Sequence, residues 1–285
     1  GIFAAMYCIL KKDDHAIVIT PNYQSSETIP NSICDVTGVS LDSDNNWDLD
    51  VQKILDAIKR NTRLIAINFP HNPTGKVISR EKLDTLIEIS RKHDIYLFSD
   101  EVYRLMERRE EIRLPQIADI YEKGLSLNVM SKAYGLPGLR IGWIASKDIE
   151  LLDKMERMKH YLSICNSSPS EVLSVIALKS RERILERNRK IISDNLNLLS
   201  PFFEKNKDLF DWKIPDGGCI GYPKYLGDEG VEAFCENLIE NHSIMLLPSS
   251  VYQSELGATV GDHFRIGYGR IKMKEGLEAL EMALN

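Results

Sequence analysis

Lys132 and Arg140 stand eight residues apart, on the two sides of a turn rich in glycine and proline. An apolar run from Leu127 to Met130 precedes the turn, and a second apolar run, Ile141 to Ala145, follows it. We predict that both runs are strands and that the first one is buried. A lysine at the end of a buried strand is costly to desolvate unless it is paired, lies in a cleft or is used covalently. Lys132 is therefore a candidate for chemistry.

Other polar side chains also follow apolar runs. The runs AIVIT, LIAINF and IYLFS read as strands, and each is followed directly by polar residues. Ligands gather at the carboxyl ends of the strands in a parallel sheet. We therefore expect one site to collect the residues just past the strand ends, which are Pro21, Asn22, Tyr23, Asn72, Asp100, Tyr103 and Lys132.

The order of the predicted elements indicates an α/β fold. Strands that are apolar on both faces alternate with amphipathic helices, which is typical of a mainly parallel sheet covered by helices. We predict a large domain over residues 1–185. Short strands and helices after Phe210 predict a smaller α+β domain over 186–285. The helix starting near Ser168 would have a capping-box glutamate at Glu171, and a break is expected near Ser180.

Composition excludes several classes of function. With 285 residues, 43% of them hydrophobic, the chain can bury a sizeable core. A net charge of −6 argues against nucleic acid or an anionic membrane surface as a partner. No apolar run approaches the ~18–20 residues of a membrane span. The five scattered cysteines include no CxxC pair, which argues against a disulfide framework or a metal cluster and for the cytoplasm.

The residues at the strand ends fit one cofactor best. Pyridoxal phosphate (PLP) needs a lysine for its Schiff base and a carboxylate opposite its pyridine nitrogen. Lys132 and Asp100 supply these groups. Because a nearby carboxylate favours the charged pyridinium, Asp100 would keep the ring nitrogen protonated and the ring electron-withdrawing.

The remaining needs of the cofactor are also met. Asn72 and Tyr103 would hydrogen-bond the phenolic oxygen, and Tyr23 would stack on the ring. Arg140 offers a planar fork of donors suited to phosphate. We interpret His71, beside Asn72, as a residue that shapes the turn.

Three segments resemble a known family. HNPTG at 71–75, SDEVY at 99–103 and SKAYGLPGLRIGW at 131–143 are similar to the signature segments of fold type I aminotransferases, the aspartate aminotransferase-like class I/II group. The resemblance extends from Gly1 to Asn285. It implies that Lys132 forms the Schiff base and moves the α-proton, and that Arg265 in FRIGYGR clamps the substrate α-carboxylate. Members of the family are typically homodimers with sites at the subunit interface.

The sequence departs from the family pattern at the phosphate. Val129 lies where these enzymes usually carry a serine or threonine that binds phosphate, three residues before the lysine. Ser131 is the alternative donor. The resemblance also places a phosphate cradle and an N-terminal arm upstream of Gly1, so the N-terminal portion of such a fold is expected before this sequence begins.

We therefore predict a PLP-dependent aminotransferase that passes the amino group of an amino acid to a 2-oxo acid through Lys132, with Arg265 and Asn72 binding the substrate. Two alternatives stay open. The same cofactor could serve a C–S lyase, a decarboxylase or a cyclase acting on a guanidino amino acid. The chain could also be a non-catalytic PLP-fold protein or an inactive fragment.

Overall fold

The computed structural model describes residues 1–258 and 260–284. A six-stranded sheet lies at its centre, in the order β2-β1-β3-β4-β5-β6. Neighbouring strands are parallel except β5 and β6, which are antiparallel. The prediction of a mainly parallel sheet is confirmed. The strands are β1 (His15–Thr20), β2 (Asp35–Ser40), β3 (Thr62–Asn68), β4 (Tyr96–Asp100), β5 (Gly124–Val129) and β6 (Gly142–Ser146).

Helices cover both faces of this sheet. Ser79 caps α4 as predicted, because its side chain accepts a hydrogen bond from the backbone N–H of Lys82. The apolar pattern does not predict α2, which contains Pro30, or α5, which is a single turn. The helices are α1 (Ile2–Ile9), α2 (Ser25–Asn31), α3 (Val51–Ala57), α4 (Arg80–Lys92), α5 (Ile117–Ile120), α6 (Ile149–Leu162) and α7 (Ser168–Lys179).

The two faces of the sheet belong to two apolar layers. Ile17 and Ile65 pack in the layer that includes Leu86 of α4. Ala16 and Val18, the alternate residues of β1, pack in the layer that includes helix α1. Each buried aliphatic side chain contributes about 1.5–3 kcal/mol relative to an exposed one. Burial on both faces is why β1, β3 and β4 read as continuous apolar runs.

The C-terminal part is α+β, as predicted. It contains one antiparallel sheet in the order β10-β11-β8 and the pair β7-β9. Its helices are α8 (Arg181–Lys205), α9 (Gly230–His242) and α10 (Met273–Ala283), and its strands are β7 (Phe210–Asp211), β8 (Ile220–Gly221), β9 (Lys224–Tyr225), β10 (Leu247–Pro248) and β11 (Phe264–Gly267).

The junction between the two parts is helical. The break expected near Ser180 is present, since α7 ends at Lys179 and α8 begins at Arg181. The predicted division between residues 185 and 186 falls inside α8 and stays a prediction. The capping box is wrong: Ser167 is the N-cap without a side-chain hydrogen bond, and Glu171 instead accepts one from Asn166.

A third apolar cluster joins the loops at the carboxyl edge of the large sheet to the C-terminal part. Tyr103 and Met130 pack in one cluster with Phe203, Phe210 and Phe264. The C-terminal part is therefore packed beside the strand ends where the predicted site residues lie.

Three further properties concern the described residues as a whole. No helix among them is both long and apolar enough to cross a membrane. They contain no cluster of three or more His, Cys, Asp or Glu side chains arranged to hold a metal ion. The cysteines within residues 1–258 are all free thiols.

Candidate active site

The register of the central strands sets the floor of the site. Asn68 at the end of β3 pairs with Asp100 at the end of β4, and Asp100 pairs with Leu127 of β5. Tyr103 and Lys132 lie on the loops that leave β4 and β5. The ammonium nitrogen of Lys132 is 5.2 Å from the centroid of the Tyr103 ring. Parallel pairing thus brings residues from distant stretches of sequence to one edge.

Asp100 is a buried carboxyl group, with 5% of its surface exposed. Its Oδ1 accepts a hydrogen bond from the backbone N–H of Val102 at 3.2 Å. Burial raises the pKa of Asp100 to about 7, and the Val102 hydrogen bond and the charge of Lys132 oppose that rise only in part. Within the described structure, no ion pair includes Asp100. The group therefore favours a bound cation.

Two asparagines link Asp100 to the C-terminal part. Asn68 donates to the backbone carbonyl of Asp100 at 2.7 Å and accepts from the backbone N–H of Asn72 at 2.8 Å. The Oδ1 of Asn72 accepts in turn from Arg265 at 3.3 Å. Sequence reasoning missed Asn68, although a polar residue near the end of the run LIAINF could have indicated it.

Of the two arginines in FRIGYGR, the structure places Arg265 beside Asn72. Arg265 is half-buried on β11, and its guanidinium carbon is 5.7 Å from the centroid of the Tyr252 ring. Arg270 is exposed, and its backbone carbonyl accepts from Asn195 at 2.7 Å. Arg265 is thus the arginine nearer to the strand ends.

Tyr103 is buried against the loop that follows β7. A Cβ atom at Gly218 would lie 3.4 Å from the Tyr103 ring. Burial raises the pKa of Tyr103, so the hydroxyl stays protonated and can donate a hydrogen bond. Cys219, which sequence reasoning did not select, follows Gly218. Burial raises the pKa of its thiol, and the charge of Lys132 is the first of several that oppose the rise.

The segment 215–218 is bonded on two sides. Gly217 donates to the carbonyl of Gly75 at 2.9 Å, and Gly218 donates to the carbonyl of Met106 at 3.0 Å. The Asp216 carboxylate accepts from the backbone N–H of Val77 at 3.2 Å. These bonds fix the segment against the HNPTG loop and against the loop that carries Tyr103.

His71 holds the HNPTG turn in shape. It is 1% exposed, and burial lowers its pKa to about 4, so the ring is neutral. Its Nε2 donates to the carbonyl of Pro21 at 2.9 Å, which leaves Nδ1 to accept from the Thr74 hydroxyl, also at 2.9 Å. The ring therefore joins this turn to the end of β1.

The remaining predicted residues lie further out. Tyr23 is 51% exposed. Arg140 is exposed in a left-handed conformation, with φ of 55°, and donates to the Pro137 carbonyl at 2.9 Å. Arg140 and Ser131 both line a cavity of about 540 Å³, together with Val129. Two groups that can bind an anion thus share one cavity.

A family model described as aminotransferase class I and II matches residues 1–281. The chain belongs to the aminotransferase class I and II family. It is therefore a PLP-dependent aminotransferase of fold type I, as the signature segments predicted, and pyridoxal phosphate is its cofactor.

Solved structures and curated proteins agree with this membership. A PLP-dependent aminotransferase from Streptococcus suis is 31% identical, with a TM-score of 0.91 over 99% of this chain and 74% of that one. Aspartate aminotransferase of Pyrococcus horikoshii is 26% identical, across all of this chain and 73% of the relative. Capreomycidine synthase of Streptomyces vinaceus is 24% identical, across all of this chain and 72% of the relative.

The residues present fit this cofactor. Asp100 is a buried carboxyl without an ion-pair partner among the described residues, so a protonated ring nitrogen is the kind of group it would pair with. Lys132 supplies an amine beside Tyr103, and Tyr103 is a neutral phenol. Ser131 and Arg140 line a cavity in which a phosphate could find donors.

Gly75 should be intolerant of a side chain. Its φ is 72°, and a Cβ atom would lie 2.5 Å from the Pro215 Cβ and 2.9 Å from the Gly217 carbonyl oxygen. We expect Gly75→Ala to lower the free energy of unfolding by about 2–4 kcal/mol, measured by chemical denaturation. Gly138→Ala is the matched control, because a Cβ there meets nothing within 4 Å. Equal stability of the two variants would contradict the packing.

Asp100→Asn should stabilise the cofactor-free protein in a pH-dependent way. The raised pKa means that, between the ordinary value of 3.8 and about 7, the folded protein holds a proton that the unfolded chain releases. The free energy of unfolding therefore falls as pH rises through that window. Chemical denaturation of both proteins at pH 5, 6, 7 and 8 measures the difference. The free energy of unfolding of the variant should exceed that of wild type by an amount that grows up to about pH 7 and then levels off. A gain that is the same at every pH would count against a buried, titrating Asp100.

Proposed function

We propose that this aminotransferase moves the amino group of an α-amino acid to a 2-oxo acid, with Lys132 as the catalytic residue. The observation that carries the proposal is the buried carboxyl of Asp100, close to an amine and to a neutral phenol. Arg265, held by Asn72 at 3.3 Å, supplies a carboxylate-binding group at the same edge.

Lys132, Asp100 and Tyr103 would hold the reactive end of the cofactor. Pyridoxal phosphate supplies a conjugated ring that withdraws electrons from the substrate α-carbon. The Lys132 amine would be the covalent attachment point, and Asp100 would be the counter-ion of the ring nitrogen. Tyr103 and Asn72 would donate hydrogen bonds to the phenolic oxygen. Tyr103 can do so at neutral pH because burial keeps its hydroxyl protonated.

Ser131, Arg140 and Tyr23 would hold the rest of the cofactor. Ser131 and Arg140 share the cavity of about 540 Å³ and offer a hydroxyl and a guanidinium to the phosphate. One N–H of the Arg140 guanidinium donates to the Pro137 carbonyl in the described structure. The guanidinium carries four further N–H groups that could donate to a phosphate. Tyr23, which is largely exposed, would cover the ring face when the site is filled.

The substrate would be oriented by its carboxylate. Arg265 can present two parallel N–H donors to a carboxylate, which fixes both its position and its plane. Asn72 holds the guanidinium from one side through its Oδ1. In a transamination the Lys132 amine would take the proton from the substrate α-carbon and would return a proton to the cofactor carbon on the other side of the shared nitrogen.

Lys132→Ala should abolish the half-reaction. The intact protein loaded with PLP is mixed with single amino acids, and conversion to the pyridoxamine form is followed by absorbance. We expect a rate at least ~10³-fold below wild type, because the variant lacks both the amine and the proton carrier. Lys12→Ala is the control, since Lys12 is exposed and precedes β1, at the opposite end of the strand from the site. Conversion by Lys132→Ala at the wild-type rate would overturn the assignment.

A cyclase is the second candidate function. Capreomycidine synthase is among the curated relatives, and a PLP-dependent cyclase, OrfR, is 26% identical with a TM-score of 0.86 over 99% of this chain and 74% of that one. A transaminase releases a 2-oxo acid and leaves pyridoxamine phosphate. A cyclase acting on a guanidino amino acid needs no 2-oxo acid acceptor. Mass spectrometry of the products formed without an acceptor therefore separates the two.

The exposed face of α7 supports a homodimer. This helix buries Ser174 and Ala177 but exposes larger apolar side chains. Val172 is 57% exposed, Leu173 51% and Ile176 55%. A contiguous apolar surface of this kind marks an interaction site, and membership of this family favours a second copy of the chain as the occupant. We place the dimer in the cytoplasm, in keeping with the free cysteines.

Val172→Asp should weaken this dimer. A carboxylate in an apolar interface is desolvated without a partner, so the variant should elute as a monomer at concentrations where wild type is dimeric. Light scattering after size exclusion measures the mass. Met282→Asp is the control, because Met282 is also exposed, at 76%, but lies on α10. A wild-type protein that is monomeric would contradict the proposal.

A further inference from the structure

Tyr252 lies beside the arginine proposed to bind the substrate. It ends a short 3₁₀ helix, Ser249–Tyr252, that directly follows β10. Strand β10 pairs with β11, and Leu247 is the register partner of Arg265. Tyr252 is 7% exposed. The chain therefore returns a buried tyrosine to the strand that carries Arg265.

Both the ring and the hydroxyl of Tyr252 interact with Arg265. The guanidinium carbon is 5.7 Å from the ring centroid, within the range of a cation–π contact. Burial raises the pKa of the Tyr252 hydroxyl, while the charge of Arg265 and a hydrogen bond with Arg265 oppose that rise.

An aromatic cluster holds Tyr252 from behind. Tyr222 meets it edge to face, with ring centroids 5.7 Å apart. His263 stacks on Tyr222 at 5.1 Å, and Trp47 packs against both rings at 5.0–5.5 Å. Close-packed rings leave few alternative rotamers. Tyr252 is therefore a rigid support rather than a mobile surface residue.

Arg265 is thus held on two sides. Asn72 accepts one N–H at 3.3 Å, and Tyr252 contacts the guanidinium separately. A long arginine side chain loses rotamer entropy when it clamps a ligand. Supports that fix the fork before the ligand arrives reduce that cost and so tighten binding.

We propose that Tyr252 is a positioning residue that orients Arg265 for the α-carboxylate of the substrate. This inference rests on the proposed role of Arg265. It assigns Tyr252 no part in proton transfer or in holding the cofactor, so its effect is confined to substrates that carry a carboxylate.

Tyr252→Phe and Tyr252→Leu test the proposal in the PLP-loaded protein. The probes are the amino acid that reacts fastest in the half-reaction screen and the amine that remains when its carboxylate is removed. We expect Tyr252→Phe to raise KM for the amino acid about 3- to 10-fold, with kcat within about twofold of wild type. Tyr252→Leu should raise it further. Neither variant should change the reaction of the amine.

Binding without turnover gives a second readout. The α-methyl analogue of the same amino acid has no α-proton, so its dissociation constant can be measured by calorimetry. It should rise by the same factor as KM. Tyr222→Phe is the matched control, because the Tyr222 hydroxyl is buried and lacks a hydrogen-bond partner among the described residues. That variant should leave both constants unchanged, and denaturation midpoints check that all variants are folded.

Arg265→Met separates the two ideas. If Arg265→Met does not raise KM for the amino acid more than KM for the amine, the proposed carboxylate role of Arg265 is wrong. If Arg265→Met raises KM for the amino acid selectively but both Tyr252 variants behave like Tyr222→Phe, only the positioning role of Tyr252 is wrong. A Tyr252 variant that impairs the reactions of the amine and the amino acid equally also overturns the positioning role.

Discussion

The site depends on one buried carboxyl group. Placing Asp100 at the end of β4 removes it from water, which raises its pKa to about 7 and makes its charged form costly. The neighbouring strands fix its place rather than neutralise it: Asn68 of β3 holds its carbonyl, and Val102 gives its side chain one hydrogen bond. A buried carboxylate held in this way is strongly stabilised by a cation placed beside it. The fold therefore contributes a preformed electrostatic preference, and the stability lost to the buried carboxyl can be recovered when the cofactor binds.

The second constraint is the attachment of the C-terminal part to this edge. The backbone of 215–218 bonds to Gly75 and to Met106, and a side chain at Gly75 would displace that segment. Tyr103 packs in one cluster with Phe203 and Phe264, so the loop that holds the phenol is also the surface on which the C-terminal part rests. Because the same residues serve packing and chemistry, the relative position of Asp100 and Arg265 follows from the packing of the core.

Much of this arrangement could be predicted from the sequence, for a physical reason. Parallel strands are apolar on both faces, so their limits are readable, and the rule that their carboxyl ends share an edge gathers Asp100, Tyr103 and Lys132 without a structure. Three kinds of feature were not predicted. Helices α2 and α5 lack an apolar period. Asn68 acts through its position in the register. Contacts such as Val77 with Asp216, which are 139 residues apart, depend on how the two parts pack.

The proposed recognition of the substrate carboxylate would be shared between distant parts of the chain. Asn72 extends from the large sheet and Tyr252 from the C-terminal part, and Arg265 lies between them. The arginine is fully oriented only when both parts are packed together. The carboxyl of Asp100 imposes no comparable demand, because Asn68, Val102 and Lys132, which surround it, all belong to the large sheet and its loops. Binding of the cofactor ring and binding of the substrate carboxylate would therefore have different structural requirements. A change that loosens the contacts between the two parts should weaken binding of the substrate carboxylate more than binding of the cofactor ring.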